Sequence, residues 1–98
     1  MECNRTVISG EIVRLNVLRY TPAGIPVIDG VVKHYSNQQE AKIQRQVYCE
    51  LSVVAFGETA TAMAGLSIGD NIRITGFLSR KSQTNPQLVL HISQIIQI

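Results

Sequence analysis

Leu66-Ser-Ile-Gly-Asp70 followed by Asn71-Ile-Arg-Ile-Thr-Gly-Phe-Leu78 is the stretch on which the fold turns. Side chains alternate across a strand, so Ile72, Ile74, Gly76 and Leu78 share one face while Asn71, Arg73, Thr75 and Phe77 share the other. The apolar set is fit for a core and the other set for the outside. A glycine inside such a strand marks a bulge or a sharp bend. The Gly69-Asp70 turn that leads in follows an Ala-rich segment. Helix, turn and bent strand together suit the helix-to-strand passage of a small β-barrel.

Working outward from that passage, Gly57 to Leu66 is the one good helix candidate, with Ala60, Met63 and Ala64 spaced to face inward. It is short, so tertiary packing must hold it. Upstream, Arg45 to Phe56 alternates cleanly: Val47, Cys49, Leu51, Val53 and Ala55 on one face, Gln46, Tyr48, Glu50 and Ser52 on the other. Asn37 to Gln44 is polar without alternation and reads as a hairpin loop. Pro26 to Ser36 forms a second strand, paired in a long hairpin with a first that runs from Arg5 and stays extended to Tyr20. Thr21-Pro22-Ala23-Gly24 turns between them, proline presetting φ and glycine accepting a positive one. Gly10, between Ile8 and Ile12, is placed as a bulge in the first strand. Downstream, Ser82 to Pro86 is a polar loop, and Gln87 to Ile98 is the fifth strand, with Leu88, Leu90 and Ile92 on one face. The order strand, strand, strand, helix, strand, strand is that of the OB-fold, an all-β five-stranded Greek-key barrel. The expectation is one OB-fold domain over residues 1–98, with the helix between the third and fourth strands.

Composition bounds the function. The 98 residues suit one domain with one core. Nine Lys and Arg against seven Asp and Glu give a net charge of +2, too weak alone to imply nucleic acid. Hydrophobic residues make up 45% and charged ones only 16%, which leaves apolar surface to hide and favours self-association. Cys3 and Cys49 are read as reduced thiols, Cys49 as a small core residue. No secretory leader and no apolar run of membrane-spanning length is visible, so a cytoplasmic protein is expected, with no membrane association. His34 and His91 are isolated, and His91 is expected to be a strand residue with a satisfied hydrogen bond. No metal-ligand spacing, phosphate-cradling glycine run or carboxylate pair appears, so neither a metal, a cofactor nor an enzymatic activity is expected.

Small barrels of this class commonly bind oligonucleotides on one face. Here Lys33 and Tyr35 point outward near the end of the second strand. Arg45 opens the third, Tyr48 points outward from it, and Lys42 lies in the loop between. These residues are expected to form one patch in which cations attract phosphates and rings stack unpaired bases. Arg80 and Lys81 open the loop between the fourth and fifth strands and add a second basic element. Val7 and Val13 in the first strand, and Val89 and Ile95 in the fifth, alternate against the inward residues. They are expected to be covered by a second copy in a two-fold interface.

Asn4-Arg5, Gly10, Tyr20-Thr-Pro-Ala-Gly24-Ile-Pro26, His34, Arg45-Gln46, Phe56-Gly57 and Val89-Leu90-His91 together resemble the bacterial primosomal replication protein N family (PriB). The resemblance runs over nearly the whole chain. The Tyr-Thr-Pro-x-Gly turn also resembles bacterial single-stranded DNA-binding protein, whose Gly/Pro/Gln-rich tail is not expected after the fifth strand here. The resemblance implies a non-catalytic homodimer that binds single-stranded DNA in bacterial replication restart. Its implied partners are the primosomal helicase PriA and the loader protein DnaT. Its implied DNA contacts include Arg14, Arg19, Arg45 and Tyr48. Three positions depart from the family pattern. Tyr48 stands where tryptophan is common, Tyr35 takes a basic position, and the loop after Lys81 reads Ser-Gln-Thr-Asn-Pro rather than lysine-rich. Two other classes stay open: an OB adaptor that mainly binds proteins, and a small enzyme on a barrel scaffold, which the scattered carboxylates disfavour.

Overall fold

Two long strands, β3 (Pro26–Glu40) and β4 (Ile43–Phe56), dominate the molecule. They pair antiparallel without interruption from Val27↔Phe56 to Glu40↔Ile43. A computed structural model describes residues 2–98 of the chain. Around the hairpin lie β1 (Thr6–Leu15), the two-residue β2 (Arg19–Tyr20), β5 (Asn71–Arg80) and β6 (Leu88–Gln97). The strand order is β1-β5-β6-β4-β3-β2, and β1 also pairs with β3, which closes the barrel. The closing β4–β6 contact is a short parallel one, Val53↔Leu90 and Val54↔His91. Helix α1 (Glu58–Ala64) lies between β4 and β5. This is the all-β OB architecture expected from the order of elements.

Alternation places the core. Ile12, Ile28, Val32, Val53, Ala55, Ile72, Ile74, Leu90 and Ile92 close from the strands, and α1 seals them with Ala60 and Met63. Each large apolar side chain so removed from water contributes roughly 1.5–3 kcal/mol. Helix α1 is shorter than expected, with Gly57 and Gly65 as its caps. Its buried face runs through Ala60 and Met63, flanked by half-buried Thr59, so Ala64 is exposed rather than inward.

Two bulges reset the alternation. Ile12 pairs with Val32 but Arg14 with Val31, so Val13 is an extra residue in β1. The bulge therefore sits three residues past Gly10. Gly10 meets a different demand: a Cβ there would run into the Lys33 carbonyl of β3. In the β5–β6 ladder, Thr75 pairs with Gln94 and Gly76 with Ile92, so Ser93 is the extra residue. A side chain at Gly76 would collide with the His91 carbonyl, which explains the glycine inside the decisive strand. A one-residue slip moves every later side chain to the opposite face. Ile95 accordingly turns inward, pairs with Ile74 and packs half-buried on the core.

Four further expectations are corrected here. Asn37 to Gln44 is not a loop but the paired far end of β3 and β4, joined by a two-residue turn at Ala41 and Lys42. Cys49 has core parity but lies beyond the end of the barrel and is exposed. Leu88 likewise shares the face of Leu90 and Ile92 yet is 60% exposed, since it pairs with Arg80 past the barrel's rim. Tyr20 and Arg19 do not extend the first strand; they form β2, paired with Pro26 and Val27 across the turn.

Candidate nucleic-acid interface

The outer face of β3 and β4 reads in matched pairs: Asp29 opposite Val54, Val31 opposite Ser52, Lys33 opposite Glu50, Tyr35 opposite Tyr48. All lie on the side away from the core residues Ile28, Val32, Val53 and Ala55. The two tyrosines are 57% and 61% exposed and stand side by side at the root of the part of the hairpin that outruns the barrel. Cross-strand neighbours sit about 4.5–5.5 Å apart at Cβ, so the rings form one amphipathic platform.

About 13 Å along the same face, at 3.3 Å per strand residue, an open cleft of about 290 Å³ begins. Arg14, Arg19 and Lys81 line it, with Asn16, Asp29, Ser52, Phe56 and His91. Arg14 reaches this cleft because of the Val13 bulge. Without the extra residue it would share the inward face of Ile8 and Ile12; with it, Arg14 pairs with Val31 of the outer face. Arg19 arrives from β2, and its Nη1 lies 3.5 Å from Asp29 Oδ1. Lys81 follows the outward parity of Phe77 and Ser79, and its backbone N–H donates to the Gln87 carbonyl at 2.8 Å. Arg80 has the opposite parity and stays outside the cleft.

The expected single patch is thus divided. Lys33, Tyr35 and Tyr48 share a face, and Arg14, Arg19 and Lys81 continue it. Arg45 does not: uninterrupted alternation puts it on the other side of the ribbon from Tyr48. There its Nε lies 3.0 Å from Glu40 Oε1. Lys42 occupies the turn at the far tip. Two of the cations are also less free than their count suggests, since Arg19 faces Asp29 and Arg45 faces Glu40. Exposed pairs of this kind contribute little to stability and leave the cation available to a competing anion.

Three features went unread in the sequence. Phe56, His91 and Phe77 form a row of rings across β4, β6 and β5. His91 stacks on Phe56 at 5.9 Å between centroids and meets Phe77 edge-on at 4.8 Å. Contrary to expectation, the His91 side chain makes no hydrogen bond among the described residues and is held by the two rings. The signal was available, since all three residues have outward parity on strands that neighbour one another in an OB barrel. Asp29 is the second feature, the acidic residue in a cleft with three cations. The third is His34, whose ring nitrogens lie 2.7 Å from the Ser9 carbonyl and 2.8 Å from Ser36 Oγ, fastening the root of the hairpin to β1.

Of the four residues expected at a two-fold interface, two are corrected. Val89 is 7% exposed, covered by its own chain's Val27 and Val54. Ile95 is turned to the core by the Ser93 bulge. Val7 remains 50% exposed and Val13 half-buried. No group of three His, Cys, Asp or Glu residues able to hold a metal occurs among the described residues. No helix among them is long and apolar enough to cross a membrane.

Comparison with known proteins matches residues 4–94 to a family model described as another single-strand binding protein family. Replication restart protein PriB of Nitrosomonas europaea is 44% identical over 89 residues, 91% of this chain and 82% of that protein. The three-dimensional structure of PriB from Ralstonia solanacearum superposes with a TM-score of 0.90 at 30% identity, covering 98% of each chain. A small single-stranded DNA-binding protein from Streptomyces coelicolor shares the fold, with a TM-score of 0.77 at 17% identity over 100% of this chain and 95% of that one. With relatives this similar along nearly its whole length, the chain belongs to the replication restart protein PriB family, within the single-strand binding fold.

Proposed function

We propose that this chain is a single non-catalytic OB-fold domain that binds single-stranded DNA in bacterial replication restart. The observation that carries the reading is the exposed Tyr35–Tyr48 pair, continuous on one sheet face with a cleft lined by Arg14, Arg19 and Lys81. Rings offer a face to any unstacked base, and cations hold the backbone that links the bases. A flat sheet face cannot enter a duplex groove, so single strands are preferred and the tyrosine platform itself imposes little sequence preference. Lys33 supports the path between platform and cleft. Arg45, Lys42 and Arg80, off this face, contribute long-range attraction. The protein stabilises the helicase PriA on DNA and helps recruit the loader DnaT, in the cytoplasm, as the family resemblance implies. It works as a homodimer, with Val7 and Val13 retained from the expected interface, and two copies present two DNA faces to one strand.

Titration of labelled single- and double-stranded oligonucleotides across a salt series tests this. Log affinity for the single strand should fall with log salt by about 0.7 per phosphate contacted. Equal or tighter binding of duplex rejects the reading. Sedimentation at micromolar concentration should give twice the mass of one chain; a monomer with full DNA affinity rejects the dimer.

A second reading, an adaptor that binds proteins, is favoured by the masking of two cations: Arg45 by Glu40 and Arg19 by Asp29. Salt-insensitive or absent DNA binding would establish it over the first.

A further inference from the structure

We propose that the cleft between β1, β3, β4 and β6 is a slot for one unpaired nucleobase, and that Asp29 makes it favour guanine. The proposal rests on the single-stranded DNA reading above and specifies what that site selects.

The cleft has the parts a base needs. Its apolar floor is Val31, Val54 and Val89, and one wall is the Phe56 ring, 47% exposed and backed by His91. Arg14 and Lys81 stand at its rim, where the phosphates of a base turned inward would lie. About 290 Å³ is ample for a single purine.

Asp29 is the feature that a simple phosphate groove would not contain. A carboxylate repels phosphate, yet this one is held in place. Its Oδ1 accepts from Asn16 Nδ2 at 2.8 Å and lies 3.5 Å from Arg19 Nη1. Its backbone carbonyl also accepts from the Asn16 N–H at 2.9 Å. A carboxylate has about four lone-pair positions. Asn16 engages one of them through Oδ1, the Arg19 contact at 3.5 Å is long enough to yield to a closer donor, and Oδ2 accepts no hydrogen bond from the described residues, so both oxygens of a residue that lines the cleft keep acceptor capacity. The side chain is 36% exposed and therefore reachable.

Base edges differ in what they offer such an acceptor. Guanine presents two adjacent donors, N1–H and N2–H, which match the two oxygens of a carboxylate. Thymine presents one donor between two carbonyl oxygens, which the carboxylate repels. Adenine and cytosine each set one amino donor beside a ring nitrogen that is itself an acceptor. Ser52, diagonal to Asp29 across the β3–β4 ladder, supplies a hydroxyl to the neighbouring guanine O6. Guanine is thus the one base whose edge is satisfied rather than opposed at this position.

The test uses three labelled oligonucleotides of equal length: all dT, dT with isolated dG positions, and dT with dA at the same positions. Titration at low salt should show the dG oligonucleotide binding roughly fivefold tighter than the other two, the low end of what one bidentate base contact provides. The dA arm separates hydrogen bonding from the larger stacking surface of a purine. Asp29→Ala should erase the preference and bind the dT oligonucleotide at least as tightly as the unmodified chain, because a charge that opposes phosphate is gone. Asp29→Asn keeps an acceptor for Asn16 and should fold normally, yet it too should lose the preference. Equal binding of dG and dA oligonucleotides, or a preference that survives in Asp29→Asn, overturns the slot while leaving single-stranded DNA binding intact. Failure to bind any of the three overturns both.

Discussion

The β3–β4 hairpin is two different objects joined end to end. From Val27 to Lys33, with Glu50 to Phe56 opposite, it is a barrel wall: one face is buried with Ile28, Val32, Val53 and Ala55, and the other carries the cleft. From Tyr35 to Tyr48 the same two strands keep an unbroken ladder but bury little. Tyr35, Ile43 and Tyr48 are all more than half exposed. In the first half, position decides identity because a core must be filled. In the second, nothing packs behind the side chains, so the residues are free to be chosen for what they touch. One hairpin shows where folding constraints end and binding begins, and His34, tied to Ser9 and Ser36, marks the border.

Core truncation should separate the halves most sharply. Ile28→Ala in the wall should cost about 2–5 kcal/mol of stability in chemical denaturation. Ile43→Ala near the tip should cost no more than about 0.5 kcal/mol. Comparable losses would mean the far half is buried after all, as against a second copy. The tyrosine platform should behave in the opposite sense. Tyr48→Ala should weaken single-stranded DNA binding by roughly 1–3 kcal/mol at unchanged melting temperature, and Tyr48→Phe should be nearly neutral. A folded Tyr48→Ala protein with full affinity removes Tyr48 from the site.

Cations on the two faces give a smaller contrast. Arg14→Ala should lower the salt dependence of binding by about 0.7, the share of a single phosphate, whereas Arg45→Ala should leave the slope nearly unchanged. The reverse result would place the DNA on the Arg45 side of the ribbon. The smallest effect belongs to the turn. Ala41 and Lys42 both hold positive φ, 51° and 65°, in a two-residue connection that favours Asn-Gly. Lys42→Gly should therefore raise stability by about 1 kcal/mol, read as a shifted denaturation midpoint. No gain would mean the turn is relaxed in solution by other means.

Legibility in the sequence followed the same division. Ile72 to Leu78, Leu51 to Phe56 and the Ala60–Met63 stripe are readable because burial enforces a period, and a period survives as pattern. Tyr35 and Tyr48 are legible as members of one patch because both have outward parity on strands that pair in this barrel. What was lost lies past an irregularity or past the end of the core. Simple alternation misplaces Ile95 because a bulge at Ser93 leaves no mark in residue type. Leu88, Cys49 and Ala64 have the right parity or spacing but nothing to pack against. Nearness in sequence groups Arg45 with Tyr48, although three residues along a strand means opposite faces. The stretch from Asn37 to Gln44 reads as loop because a ribbon solvated on both faces has no reason to alternate.

The Val13 bulge makes the cleft depend on counting. Residue types on the outer face can change one at a time and leave the scaffold as it is. Length in β1 cannot: deleting Val13 would send Arg14 toward the core and Leu15 toward solvent, so one lost codon would spoil the barrel and disarm the cleft together. The far end of the hairpin has no such rule, because shortening it by a matched pair of residues only retracts a solvated ribbon. Divergence among chains of this architecture should therefore collect as substitutions around the cleft and as insertions and deletions at the tip. The segment from Ile12 to Leu15 should keep its number of residues even where its letters change.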